Sequence, residues 1–115
     1  MTVPTVLVVS HSTSNRLALP RVPHLPPCRM VVVSSWERAV ARLTVEPVDL
    51  VVTDAATFTR DRELTRWSLE ELEARLVLVL GLPALTRWMR ELNVEATDRL
   101  GYGARLAEAL APLPA

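Results

Sequence analysis

Val48-Asp49-Leu50-Val51-Val52-Thr53-Asp54 is the stretch that decides the fold. Its apolar middle is rich in β-branched residues, shows no polar alternation and ends in a hydroxyl and a carboxylate. A strand covered on both faces reads this way. Three other runs repeat the pattern: Thr5 to Ser10 (TVLVVS), Met30 to Ser34 (MVVVS) and Arg75 to Leu80 (RLVLVL). None alternates apolar with polar, so the pattern predicts a parallel sheet between helices rather than an antiparallel sheet with one wet face.

Helical spacing fills the intervals. Trp36 to Glu46 puts Trp36, Val40 and Leu43 on one face, with Ser34 and Ser35 as candidate N-caps and Pro47 as the stop. Asp61 to Ala74 carries Leu64, Trp67 or Ser68, and Leu72 near helical spacing. Leu85, Trp88, Met89 and Leu92 follow the i, i+3, i+4, i+7 template, with Pro83 near the expected first turn. Gly103 to Ala111 is predicted as the last helix, ended by Pro112 and Pro114, and Thr97 to Tyr102 as a short edge strand. Ser10 to Arg29 breaks the alternation with prolines at 20, 23, 26 and 27. A proline in a helix interior costs about 3 kcal/mol, so at most Ser14 to Leu19 is helical and Arg21 to Pro27 is extended or polyproline-like. The first crossover helix is therefore truncated and replaced by a strap. The whole order predicts a small doubly wound α/β domain over residues 1–115.

Composition narrows the function. Half of the 115 residues are apolar, and thirteen basic residues balance thirteen acids at a net charge of zero. That balance argues against nucleic acid or an anionic membrane as partner. The ten-residue apolar run Leu76 to Leu85 is far short of the roughly twenty residues of a spanning helix, and it contains Gly81 and Pro83. No basic segment precedes the first apolar stretch, so no signal peptide is expected and the chain reads as cytoplasmic. A single cysteine excludes an internal disulfide and a cysteine zinc cluster. Every basic residue is Arg, a bias that suits a bacterial, GC-rich source. Without Lys, no step can use an amine as Schiff base, phosphate clamp or general base.

In doubly wound sheets ligands gather at the carboxyl ends of the strands, which points to Ser10–His11, Asp54, Leu80–Gly81 and Tyr102. Here a family resemblance appears. Val48 to Asp54 resembles the third strand of a two-component response-regulator receiver domain, a run that ends in the phosphoacceptor aspartate. Trp36 to Leu43 is similar to that family's second helix, and Ala96 to Gly103 to the stretch leading into its fifth strand and last helix. The resemblance covers nearly the whole chain and rests on element order. It implies a flavodoxin-like fold with five parallel strands in the order 2-1-3-4-5.

The resemblance also implies a phosphorylation site, and this sequence departs from it. The acidic pair that holds Mg²⁺ is matched by Ser10 and His11. The hydroxyl ending the fourth strand is matched by Leu80 or Gly81. The lysine ending the fifth is best matched by Tyr102, followed by Gly103 where the family has proline. Only the acceptor, Asp54, remains. Without metal or cation, nothing stabilises the charge developing on a transferred phosphoryl group. The expectation is a degenerate receiver, or pseudo-receiver, with no catalytic activity, metal or cofactor; Asp54 is then a vestigial acceptor that caps the following turn.

Other candidates are weaker. Ser10-His11-Ser12-Thr13-Ser14-Asn15 resembles the hydroxyl-rich flavin-phosphate loop of flavodoxins, but it lacks glycine and Pro20 cuts its helix. No Gly-x-Ser-x-Gly elbow supports a hydrolase. His11 and His24 are too few for a metal site. Cys28 beside Arg29 fits either a lowered thiol pKa or a small buried apolar residue. Trp67 fits core or partner surface, and Trp88 fits core. By resemblance, the interaction face would draw on Arg87, Trp88, Arg90, Glu91, Arg99, Tyr102 and Arg105. The function expected is a stand-alone receiver-like protein in signal transduction that binds protein partners. A homodimer is one form, because a strap covers less of the sheet than a helix does. The alternatives are a receiver phosphorylated on Asp54 by a histidine kinase and a flavodoxin-like flavin or phosphate binder.

Overall fold

The computed structural model describes residues 3–111. The β-branched runs become β1 (Thr5–Val9), β2 (Arg29–Val33), β3 (Leu50–Asp54) and β4 (Leu76–Leu80), and a fifth strand, β5, spans Val94–Thr97. All pair in parallel, in the order β2-β1-β3-β4-β5, as expected. The helices are α1 (Thr13–Ala18), α2 (Trp36–Ala41, continued by a 3₁₀ turn over Arg42–Thr44), α3 (Ala55–Arg60), α4 (Arg62–Leu72), α5 (Arg87–Glu91) and α6 (Arg99–Leu110). Strand register places Val9 beside Thr53, Asp54 beside Leu80 and Leu80 beside Thr97. The carboxyl ends of four strands are therefore level, and they form one rim.

Alternate residues of each strand supply two cores. Leu7, Val9, Val51, Val77 and Val79 face Trp36, Phe58, Leu69, Leu72 and Trp88. Val6, Val8, Leu50, Val52, Leu78 and Leu80 face Leu19, Tyr102, Leu106 and Leu110. So α2 to α5 cover one side, while α6 and the segment after α1 cover the other. The non-alternating runs have their explanation here, since every residue of β1 and β3 is buried.

The carboxyl-terminal quarter departs from expectation. The fifth strand is Val94–Thr97 rather than Thr97 to Tyr102, and the last helix starts at Arg99 rather than Gly103. Asp98 is the reason: its Oδ1 accepts from the Gly101 N–H at 2.6 Å, and the four-residue spacing of Tyr102, Leu106 and Leu110 makes a helical stripe. The helix expected over Asp61 to Ala74 ends at Leu72, where Glu73 adopts a left-handed φ of 49°. The expected helix around Leu85 to Leu92 contracts to α5, so Pro83 lies outside it. Pro112 and Pro114 lie outside the described residues.

The strap is real. α1 is capped by Ser12 and buries none of its residues, and no regular secondary structure follows until β2. The segment is not continuously extended, because it turns at Pro23–His24 with His24 at φ 61°. Leu19 is buried under it, and Val22, Leu25 and Cys28 pack half-buried on the same core. The Tyr102 hydroxyl donates to the Leu19 carbonyl at 2.6 Å and pins the strap to α6. Val32 and Leu17 stay 40% and 57% exposed. Among the described residues no helix is long and apolar enough to cross a membrane.

Candidate functional site

Asp54 ends β3 and caps α3, so the strand register and the helix start both fix its carboxylate at the rim. Its Oδ1 accepts from the Thr57 N–H at 2.8 Å. Its Oδ2 accepts from the Ser10 hydroxyl at 2.5 Å and from the Asn15 side-chain amide at 3.0 Å. Ser10 is fully buried, and its Oγ also accepts from the Ser12 N–H at 3.0 Å. Burial pushes the Asp54 carboxyl up, but the hydrogen bonds from Ser10, Thr57 and Asn15 outweigh it and hold the group below the usual carboxylate range. The group is an anion at neutral pH, solvated by neutral protein donors.

Beside it opens a cleft of about 500 Å³ lined by His11, Ser12, Asn15, Asp54, Thr57 and Arg60, among others. The His11 side chain is exposed, while its main-chain N–H donates to Thr57 Oγ1 at 3.0 Å. Arg16 donates from Nη1 to the Ser10 carbonyl at 2.8 Å and from Nη2 to Thr13 Oγ1 at 3.0 Å. Arg99 approaches only as far as Asn15, with Nη2 3.5 Å from Oδ1.

Receiver chemistry would require Mg²⁺ here, and the donor set does not fit it. A hard dication takes carboxylate oxygens in near-octahedral array. Asp54 is the lone carboxylate of the cleft, both its oxygens are engaged, and Ser10 stands where a second acid would be. Among the described residues no cluster of three His, Cys, Asp or Glu is suited to a metal. The fourth-strand position is Gly81, with φ 78° and its N–H donating to the Thr97 carbonyl at 3.0 Å. A left-handed turn selects glycine there, which leaves no hydroxyl.

The fifth-strand position needs correction. β5 ends at Thr97, not at Tyr102, and the next residue, Asp98, is an acid engaged as the cap of α6. Tyr102 sits a turn into α6, buried, with its hydroxyl on Leu19. Burial, with the Cys28 thiolate as a second cause, raises its phenol well above the ordinary value. The hydroxyl-rich loop is likewise internally committed. Ser12 Oγ accepts from the Asn15 N–H, Ser12 and Ser14 share a hydrogen bond, and Ser10 and Asn15 both donate to Asp54. A phosphate placed there would compete with a resident anion for the same donors. Burial pushes the Cys28 thiol up, opposite to the effect expected of a neighbouring cation.

The expected interaction face also changes. Trp88 is only 9% exposed, stacked on Phe58 with centroids 5.8 Å apart, and capped by the Arg66 guanidinium 5.9 Å from its ring. Trp88 and Tyr102 therefore leave the face. Arg87, Arg90, Glu91 and Arg99 are exposed, Arg87 pairs with Glu91, and Arg105 is tied to Glu95 and Glu108. Trp67 is half-exposed, so it belongs to the surface. Leu100, 96% exposed, was not singled out by the sequence reading. It is out of phase with the Tyr102–Leu106–Leu110 stripe, and that signal would have found it once the helix start was placed.

A parallel sheet of order 2-1-3-4-5, helices on both faces and an acid ending the third strand define the receiver-domain form of the flavodoxin-like fold. The solved structures agree. The chain is similar to the signal receiver domain of an HD domain-containing protein from Pseudomonas fluorescens Pf-5, with a TM-score of 0.70 and 18% identity over 95% of this chain and 92% of that one. It is also similar to a "putative lipoprotein" fragment from Peptoclostridium difficile 630, with a TM-score of 0.58 and 8% identity over 96% of this chain and 100% of that one. At such identities the likeness is one of fold. No family model matches the sequence, and no curated protein matches it.

Proposed function

We propose that this chain is a receiver-fold signalling module that works by binding protein, without catalysis and without phosphorylation of Asp54. One observation carries the reading: both oxygens of Asp54 are occupied by fixed donors, and the nearest is a buried serine where phosphorylation would need a metal-binding acid. These three hydrogen bonds stabilise the carboxylate charge and so weaken Asp54 as a nucleophile toward phosphorus. The charge that then spreads over the phosphoryl oxygens would meet no dication and no lysine. The same donors make the anion structural. It caps α3, holds Asn15 at the start of the strap and keeps the β1–α1 loop closed.

The test is an amide NMR titration with Mg²⁺ and then with beryllium fluoride, which mimics an aspartyl phosphate. Spectra around Ser10, Asp54 and Thr97 should stay unchanged at millimolar ligand. Saturable shifts at those residues, lost in Asp54→Ala, would overturn the reading in favour of a phosphorylated receiver. A bound flavin, seen as visible absorbance in the purified protein, would overturn it in favour of a flavodoxin-like binder.

A further inference from the structure

On the strap side of the molecule lies a second groove, of about 300 Å³, between residues 18–23 and the first turns of α6. We propose that it docks an acidic peptide segment bearing an aliphatic or aromatic anchor, which deepens the binding role proposed above and rests on it.

The floor is apolar, with Leu19 and Pro23 of the strap among its lining. Val22 and Leu80 line it, and Gly103 adds open backbone. A Cβ on Gly103 would come within 3.2 Å of Val22 Cγ1, so the glycine permits the close approach of α6 and strap that shapes the groove. Leu100 stands on the rim at 96% exposure, an apolar side chain that the fold itself leaves wet. Association is what would remove it from water.

Charge selects the occupant. Arg21 and Arg99 line the groove, both are exposed, and no acid lines it. Among the described residues neither forms an ion pair, whereas Arg87 pairs with Glu91 and Arg105 with Glu95 and Glu108. Asp98, the adjacent acid, has one oxygen engaged by the Gly101 N–H. Two unneutralised guanidiniums beside an apolar floor complement carboxylates flanking a hydrophobic residue, and bidentate geometry suits arginine to carboxylate. A nucleic acid would use the cations but leave Leu100 and the floor unmatched. The groove also shares Leu80 with the Asp54 cleft, and Arg99 touches Asn15, which donates to Asp54.

The experiment is an amide NMR titration of the full chain with a capped peptide of glutamates flanking a central Trp-Leu pair. Its glutamine counterpart serves as control. Saturable shifts at Arg21, Val22, Leu100 and Gly103 are expected for the acidic peptide. The glutamine peptide and the R21E/R99E variant should each bind about tenfold more weakly or worse. Both arginines are exposed, and a thermal melt matching the parent shows that the variant is folded. No shifts at these amides at millimolar peptide, or equal binding of both peptides, would overturn the assignment. So would self-association abolished by Leu100→Ser, which would give the groove to a second copy, or stronger shifts there with single-stranded oligonucleotide than with peptide. Beryllium fluoride shifts with intact peptide binding would remove the proposed phosphorylation independence and leave the groove. Silent beryllium fluoride with no peptide binding would remove the groove alone.

Discussion

Asp54 shows how an ionised carboxylate survives at a nearly dry rim with no ion pair among the described residues: hydroxyl, amide and main-chain donors are all aimed at it. Asp54→Ala should lose the cap of α3 and strand the Ser10 hydroxyl, lowering urea-measured stability by about 2–3 kcal/mol. Its folded pKa is depressed, so its contribution is full above the unfolded value near 4 and is lost as pH falls through the folded one. The gap between parent and variant should therefore narrow in urea titrations below about pH 4. The converse substitution tests the metal argument. Ser10→Asp with His11→Asp places carboxylates against Asp54 and should destabilise the protein in EDTA. Mg²⁺ should restore it, by about 2.7 kcal/mol at a hundredfold excess over Kd. Melting temperatures with and without metal check this, and the parent should show no such response.

At the scale of elements, local chemistry explains what was legible. The four β-branched runs were legible because β1, β3 and β4 are buried on both faces, and β2 keeps the same β-branched pattern although it lies at the sheet edge with Val32 exposed. The fifth strand was misplaced because Val94-Glu95-Ala96-Thr97 sits at the sheet edge, where Glu95 and Ala96 interrupt the apolar run. The decisive signal was a cap rather than a pattern: Asp98 ahead of the Tyr102 stripe. Asp61 similarly starts α4 by accepting from the Leu64 N–H, where the helix was expected to begin, whereas the short α3 over Ala55–Arg60 carries too little apolar periodicity to have been singled out. In the site, the acids missing from β1 and the Asp54 cap of the following turn were legible, but the hydrogen bonds of Ser10 and Asn15 to Asp54 were not, since they join residues 44 and 39 positions apart. Gly81 was read as a lost hydroxyl, and its φ of 78° supplies the reason. Gly81→Ala has space, its nearest contact being Ala55 Cβ at 3.9 Å, so only backbone strain opposes it. It should cost about 1–2 kcal/mol in chemical denaturation.

For the whole molecule, the two sides of the sheet are held differently. One side is sealed by four helices, and the other by α6 and a strap that, among the described residues, has one buried hydrogen bond to that helix. Tyr102→Phe should lower stability by about 1 kcal/mol, because the Leu19 carbonyl loses its donor. The raised phenol pKa predicts a specific pH dependence. The folded state keeps the proton that the unfolded chain releases, so the contribution is full below the unfolded value near 10 and is lost as pH rises beyond it. Stability should fall above about pH 10 in the parent, and Tyr102→Phe should lose that component of the fall in alkaline urea melts.

The Tyr102–Leu19 bond joins residues 83 positions apart. A crossover helix at this point could form from neighbouring residues alone, as soon as its own turns were complete. The strap has no such local route. As the chain leaves the ribosome, β1, β2 and β3 are made while the residue that fastens the strap is still unsynthesised. The strap thus waits for α6 to arrive, so the order of synthesis makes this amino-terminal crossover close only after the helix that carries Tyr102.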